Sequence, residues 1–129
     1  MVKRAITISL LFVILFGVAI YELIAVHSII NTLEQYAYNL QTEITLNKDN
    51  VETVSNNVKD AKDYWNSKED ALCLMFNHKD LSTVTDTLNR LYSYVSNNDY
   101  DNAIAEVNLL KEYSEKNKHI MGFNFQNLL

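Results

Sequence analysis

The stretch DNVETVSNNVKDAKDYWNSKEDALCLMF, residues 49–76, decides the fold. Its apolar residues recur every seven positions in two rows. Val51, Val58, Trp65 and Leu72 form one row, and Val54, Ala61, Lys68 and Met75 the other, with Lys68 the one break. A seven-residue recurrence of two such rows places both on one face of an α-helix, with the polar residues between them turned outward. The preceding Asn47-Lys48-Asp49-Asn50 has helix-start chemistry, and Asp49 with Glu52 has capping-box spacing.

The same recurrence extends in both directions. Towards the N-terminus, Val26, Leu33 and Leu40 stand beside Ile30, Ala37 and Ile44, in a segment running to about Asn47. Towards the C-terminus, Leu81, Leu88 and Val95 stand beside Val84 and Leu91 in a segment from about Asp80 to Ser96. A last segment, about Asp99 to Lys118, pairs Tyr100 and Val107 with Ala103 and Leu110, and Ile104 widens its stripe. Asn77-His78-Lys79-Asp80 and Ser96-Asn97-Asn98-Asp99 separate these segments, and Asn or Asp side chains accept bonds from the free N–H groups of a first turn. Connections this short make neighbouring helices antiparallel. The expected fold is all-α, an up-down antiparallel bundle of about four helices, whose stripes close within one chain or between two. The chain has no proline and only Gly17 and Gly122, a composition poor in sheet turns and well suited to helix interiors.

Met1-Val2-Lys3-Arg4 precedes Ala5 to Tyr21, a run without charge. As a helix that run is about 26 Å long, close to a bilayer's hydrocarbon thickness. Residues 1–25 are therefore expected to be a transmembrane anchor contacting the lipid bilayer through residues 5–21, and residues 26–129 an extracytoplasmic bundle. Lys3 and Arg4 stay cytoplasmic by the positive-inside rule. The competing reading is a signal peptide cut after Ala19, with Gly17 and Ala19 as its small residues. No polar region separates the apolar run from that site, and the helical pattern continues past it. No cysteine directly follows the run, which excludes a lipoprotein anchor.

The net charge is −5, with the acids interspersed among the bases rather than blocked. That sign repels phosphate backbones, so nucleic acid is not an expected partner. The single cysteine, Cys73, cannot form an internal disulfide, and its apolar surroundings Ala71-Leu72-Cys73-Leu74-Met75 suggest a small core residue. His27, His78 and His119 are far apart and lack the i, i+4 spacing of a helical metal site, so no metal or other cofactor is expected. Two isolated glycines cannot make a phosphate loop. Glu69-Asp70 and Asp99/Asp101 stand where helix surfaces and caps need acids. No catalytic constellation emerges, and the chain is expected not to be an enzyme.

Six residues are candidates for interaction or ligand binding. Lys68 breaks an inward stripe, which sets register or partner choice unless its stem packs and its ammonium reaches water. Trp65 lies one turn before it, as a core residue or a stacking platform. His78 stands at the turn between segments two and three. The tail from His119 to Leu129 has no regular period and is strongly apolar, with Phe123, Phe125 and Asn127 near its end. It either folds back on the bundle or serves as a docking peptide.

Taken together, Trp65-x-x-Lys68, Leu72, Asn77-His78-Lys79-Asp80-Leu81, Leu88-x-x-Leu91, Ala103-x-x-Glu106-Val107-x-x-Leu110 and Phe123-Asn124-Phe125-Gln126-Asn127-Leu128-Leu129 resemble the bacterial domain-of-unknown-function family 4363. Cys73 and the final Leu-Leu depart from that pattern. The resemblance covers nearly the whole chain and implies a basic N-terminus, one membrane helix, about 100 helical residues and an Asn-containing apolar ending. It carries no catalytic residue. It implies a membrane-associated accessory protein that works with a larger membrane protein. Two functions follow as expectations: an anchored interaction module for another membrane or envelope protein, or an extracytoplasmic small-ligand sensor with Trp65, Lys68 and His78 lining a cleft.

Overall fold

The structure, a computed structural model, describes residues 2–126 and the side chains of residues 2–118. Four helices follow one another: α1 (Val2–Leu46), α2 (Val51–Leu72), α3 (His78–Ser96) and α4 (Tyr100–Gln126). Among the described residues α1 packs on α2 and α4, α3 packs on the same two, and the diagonal pairs do not meet. This is an up-down-up-down bundle, and the stripes close within one chain.

Nearly every residue of the seven-fold rows is buried, from Val26 and Leu33 on α1 to Val107 and Leu110 on α4. Contacts between neighbouring helices fix how the rows align. The Tyr36 and Tyr64 rings lie 5.5 Å apart, Trp65 reaches Thr85, Arg90 reaches Glu106, and Gln41 reaches Asn108. With that register the inward positions stack in layers. Ile44, Val54, Val95 and Ala103 form the layer farthest from the N-terminus of α1. Leu40, Val58, Leu91 and Val107 come next, then Ala37, Ala61, Leu88 and Leu110, then Leu33, Trp65, Val84 and Ser114. In this last layer the bulk of Trp65 is matched by the small Ser114, as close packing requires. Ser114 satisfies its hydroxyl on the Leu110 carbonyl at 2.9 Å. Ile30, Lys68, Leu81 and Asn117 follow, and Val26 with Leu72 begins the layer nearest the apolar run.

Lys68 thus occupies a core position. It is half-buried, and its ammonium stands 5.8 Å from the Tyr64 ring centre. A charged residue at such a position lowers stability. Lys68→Leu is expected to raise the unfolding free energy by about 1 kcal/mol, since its stem is already packed and leucine would fill the layer. A lower urea midpoint for this variant would show that the ammonium contributes more than the packing gain.

The caps explain the element boundaries. Asn50, one residue later than the Asp49 expected from spacing, caps α2 by accepting from the Thr53 N–H at 3.1 Å. Asn77 caps α3 by accepting from the Asp80 N–H at 2.8 Å, so α3 starts at His78 rather than near Asp80. The α3 end closes through Asn98, at φ 59° in the left-handed region that asparagine tolerates. Asp99 N–H bonds the Tyr94 carbonyl at 2.8 Å and Asn98 N–H the Val95 carbonyl at 3.0 Å, the paired bonds of a Schellman closure.

Two expectations need correction. The second segment ends at Leu72, not Phe76: residues 73–76 turn, and Met75 is exposed instead of continuing its row. The Asn77 cap needs the chain reversed before it, and that reversal uses the last turn of the expected helix. Residues 119–126, read as irregular, continue α4 to Gln126. A formed helix propagates without new nucleation, and its one unfavourable interior residue, Gly122, costs only about 1 kcal/mol.

α1 is one unbroken helix. Residues 2–22 are exposed and the first buried residue is Val26, so no linker separates the apolar run from the bundle. The helix is long and apolar enough to cross a bilayer.

Candidate functional site

Among the described residues, the candidates Trp65, Lys68 and His78 do not line one site. Trp65 is fully buried, and its indole Nε1–H donates to Thr85 Oγ1 at 2.9 Å. Thr85 Oγ1 in turn donates a hydrogen bond to the Leu81 carbonyl at 3.2 Å. The indole is therefore a satisfied core group and offers no face for a ligand to stack on. Lys68 is half-buried one turn further along α2, and His78 is an exposed first residue of α3. None of the three lines a described groove. The turn at which His78 stands is held by the Asn77 cap. Phe123 and Phe125 lie in the final turns of α4, with side chains outside the described residues, and Asn127 lies outside them altogether. Cys73 is half-buried at the end of α2, packed against the core edge.

The polar chemistry lies instead along the helix seams. On α3, Arg90 forms a two-pronged pair with Glu106 of α4: Nε donates to Oε1 at 2.8 Å and Nη2 to Oε2 at 3.0 Å. Nη2 also donates to Thr87 Oγ1 at 3.3 Å. Thr87 and Glu106 are buried, and two parallel bonds to one carboxylate fix geometry as well as charge. Along α1 and α4, Lys118 Nζ meets Glu34 Oε2 at 2.6 Å and Lys111 Nζ donates to Gln41 Oε1 at 3.0 Å. Lys111 also sits 4.1 Å from the Tyr38 ring centre, within cation–π range. The Tyr38 hydroxyl donates to Glu115 Oε1 at 3.2 Å, and that carboxylate holds the phenol above its ordinary range. These side chains clamp α4 between α1 and α3. No local pattern marks them, because the partners stand 16 to 84 positions apart.

Two grooves run between helices. A groove of about 290 Å³ between α1 and α2 is lined by Tyr36, Asn39, Thr42, Glu43, Asn57 and Asp60 over a Leu40 floor. A second, of about 210 Å³ between α3 and α4, is lined by Thr83, Thr87, Leu109, Glu112, Tyr113 and Lys116. Among the described residues no group of three His, Cys, Asp or Glu could hold a metal ion.

Burial pushes the Tyr113 phenol up to about 12, and nearby Asp80 adds to the rise. The folded state therefore favours the neutral phenol. The stability linked to it is fully present below the ordinary phenol range near pH 10 and is lost as the pH rises from there to about 12. An ultraviolet titration of the folded chain should show a late-ionising tyrosine that disappears in Tyr113→Phe. If every tyrosine ionised near pH 10, the phenol would not be desolvated.

A family described as "Domain of unknown function (DUF4363)" has a model that matches residues 20–128. The match begins at the end of the uncharged run and takes in the whole bundle. No curated protein and no solved structure matches.

Proposed function

We propose that this chain, which belongs to the DUF4363 family, is a membrane-anchored, non-enzymatic accessory module that holds a rigid helical bundle against another membrane or envelope protein. One observation carries the reading: α1 runs unbroken from an exposed apolar stretch into the bundle core. A cleaved leader needs an accessible segment at its cut. Here Gly17 and Ala19 lie inside a helix that continues for about seven further turns to Leu46. The residues best suited to chemistry are occupied in packing and clamping. Trp65 is enclosed, and Glu106 is taken by Arg90.

In this reading residues 5–21 span the bilayer once. Lys3 and Arg4 stay on the cytoplasmic side, and the bundle stands outside. The exposed Tyr38, Tyr92 and Leu109, on three different helices, offer surfaces to a protein partner.

Photo-crosslinking amino acids placed singly at Tyr38, Tyr92 and Leu109 in intact membranes test this. One face should yield a discrete adduct with another membrane or envelope protein, and the opposite face should not. The absence of an adduct at all three positions would count against the accessory role. Intact mass of the mature chain tests the anchor separately, since loss of residues 1–19 would mean a cleaved signal.

A second reading, small-ligand sensing, is favoured by the α1–α2 groove rather than by Trp65, Lys68 and His78. Its amide, hydroxyl and carboxylate lining suits a small polar or cationic molecule. A thermal-shift screen of polyamines and amino acids against wild type and Asp60→Leu separates the readings. Stabilisation lost in the variant supports sensing, and no stabilisation retires it.

A further inference from the structure

The end of the bundle nearest the apolar run carries exposed hydrophobic residues that the core does not use. In the turn between α2 and α3, Leu74 is 81% exposed and Met75 43% exposed. Both follow Leu72, which shares the final layer with Val26 of α1. The turn projects beyond that layer. The bond from Phe76 N–H to the Leu72 carbonyl at 2.9 Å keeps residues 73–76 as one more loose turn. A turn of helix rises about 5 Å. The tip therefore lies level with Glu22–Ala25 of α1, immediately after the uncharged run closes at Tyr21. α4 approaches the same level from the other side: continued along the register that pairs Val107 with Leu40, its backbone at Gln126 comes level with Tyr21.

We propose that this end of the bundle is seated in the lipid interface, with Leu74 and Met75 dipping among the headgroups beside α1. The inference rests on the anchored reading above. What selects lipid as the occupant is continuity. The exposed pair lies within about a turn of a helix that is already apolar and exposed along its whole upstream face, so the surface that bathes residues 5–21 also reaches the tip. The polar neighbours fit that setting. Lys68, Glu69, Asp70, His78 and Lys79 surround the tip on long or exposed side chains that can reach headgroups and water.

The test uses the full chain in phosphatidylcholine–phosphatidylglycerol vesicles. In a Cys73→Ser background, Leu74→Cys is labelled with a small fluorophore and read against lipids carrying a doxyl quencher shallow in the acyl chain. Met75→Cys is a second probe, should the first perturb the turn. Leu46→Cys, at the far end of α1, is the aqueous reference, and Ile14→Cys the mid-span reference. Quenching at position 74 or 75 should exceed that at 46 at least twofold. Quenching at both tip positions no greater than at 46, with 14 still quenched, overturns the interfacial seat and leaves the anchor standing, the tip then facing water or protein. Loss of quenching at 14 as well overturns the anchor itself.

Discussion

Trp65→Ala is expected to remove about 3–5 kcal/mol from the bundle's stability, the range for emptying a large aromatic from a closed core. A domain of this size has about 5–15 kcal/mol in total, so the loss takes at least about a fifth of it. Trp65 is the largest fully buried side chain, and it fills the layer in which the opposing helix contributes only Ser114. The indole also holds Thr85, whose hydroxyl would be left with its bond to the Leu81 carbonyl alone. Urea denaturation of the full chain in a non-ionic detergent, followed by far-ultraviolet circular dichroism, measures the effect. Thr85→Val provides the internal control, since it leaves a buried indole N–H unpaired at a cost of about 1–3 kcal/mol while keeping the volume. A Trp65→Ala loss below about 1 kcal/mol would mean that the indole lies at an open surface.

The second large effect is on membrane association. Val13 stands at the middle of the uncharged run, fully outside the core. An arginine at the centre of a membrane helix costs about 2.5–3.5 kcal/mol on insertion scales, and two cost roughly twice that. Val13→Arg alone is expected to lower the carbonate-resistant membrane fraction, and Leu10→Arg with Val13→Arg to reduce it to a minority. Neither residue touches the bundle, so protease resistance of residues 26–118 should be unchanged. A double variant that stays in the membrane fraction would show that residues 5–21 are not what holds the chain there.

How much of this was legible in the sequence depends on the reach of each interaction. Core residues announced themselves because burial is periodic. Val54, Val58, Ala61, Trp65 and Leu72 repeat with the helix, and tertiary packing had only to join stripes already written. Helix ends were legible to within a few residues, because Asn50, Asn77 and Asp99 act on their own first turns. The end of α2 was misjudged because Met75 keeps the period while the chain is already turning. The tail was misjudged because a lack of period does not forbid a helix that is already propagating. The Arg90–Glu106 pair and the α1–α4 seam left no trace, since they depend on which side of each helix faces its neighbour. A candidate site is the least legible of these features. Trp65 is rare in type and sits beside a charged break in the pattern, and those two features mark a large core residue as readily as a binding surface.

The unbroken course of α1 has a mechanical result. If residues 5–21 are anchored as proposed, a rod held in lipid at one end and packed along two sides at the other has no hinge to absorb a change of angle. From Val26 to Leu46 it extends about 30 Å. Leaning the embedded part by about 10°, within the range that bilayer thickness imposes on such helices, would swing the Asn47–Asn50 turn sideways by about 5 Å. The far end of the bundle would then act as a pointer whose position reports how thick the surrounding lipid is.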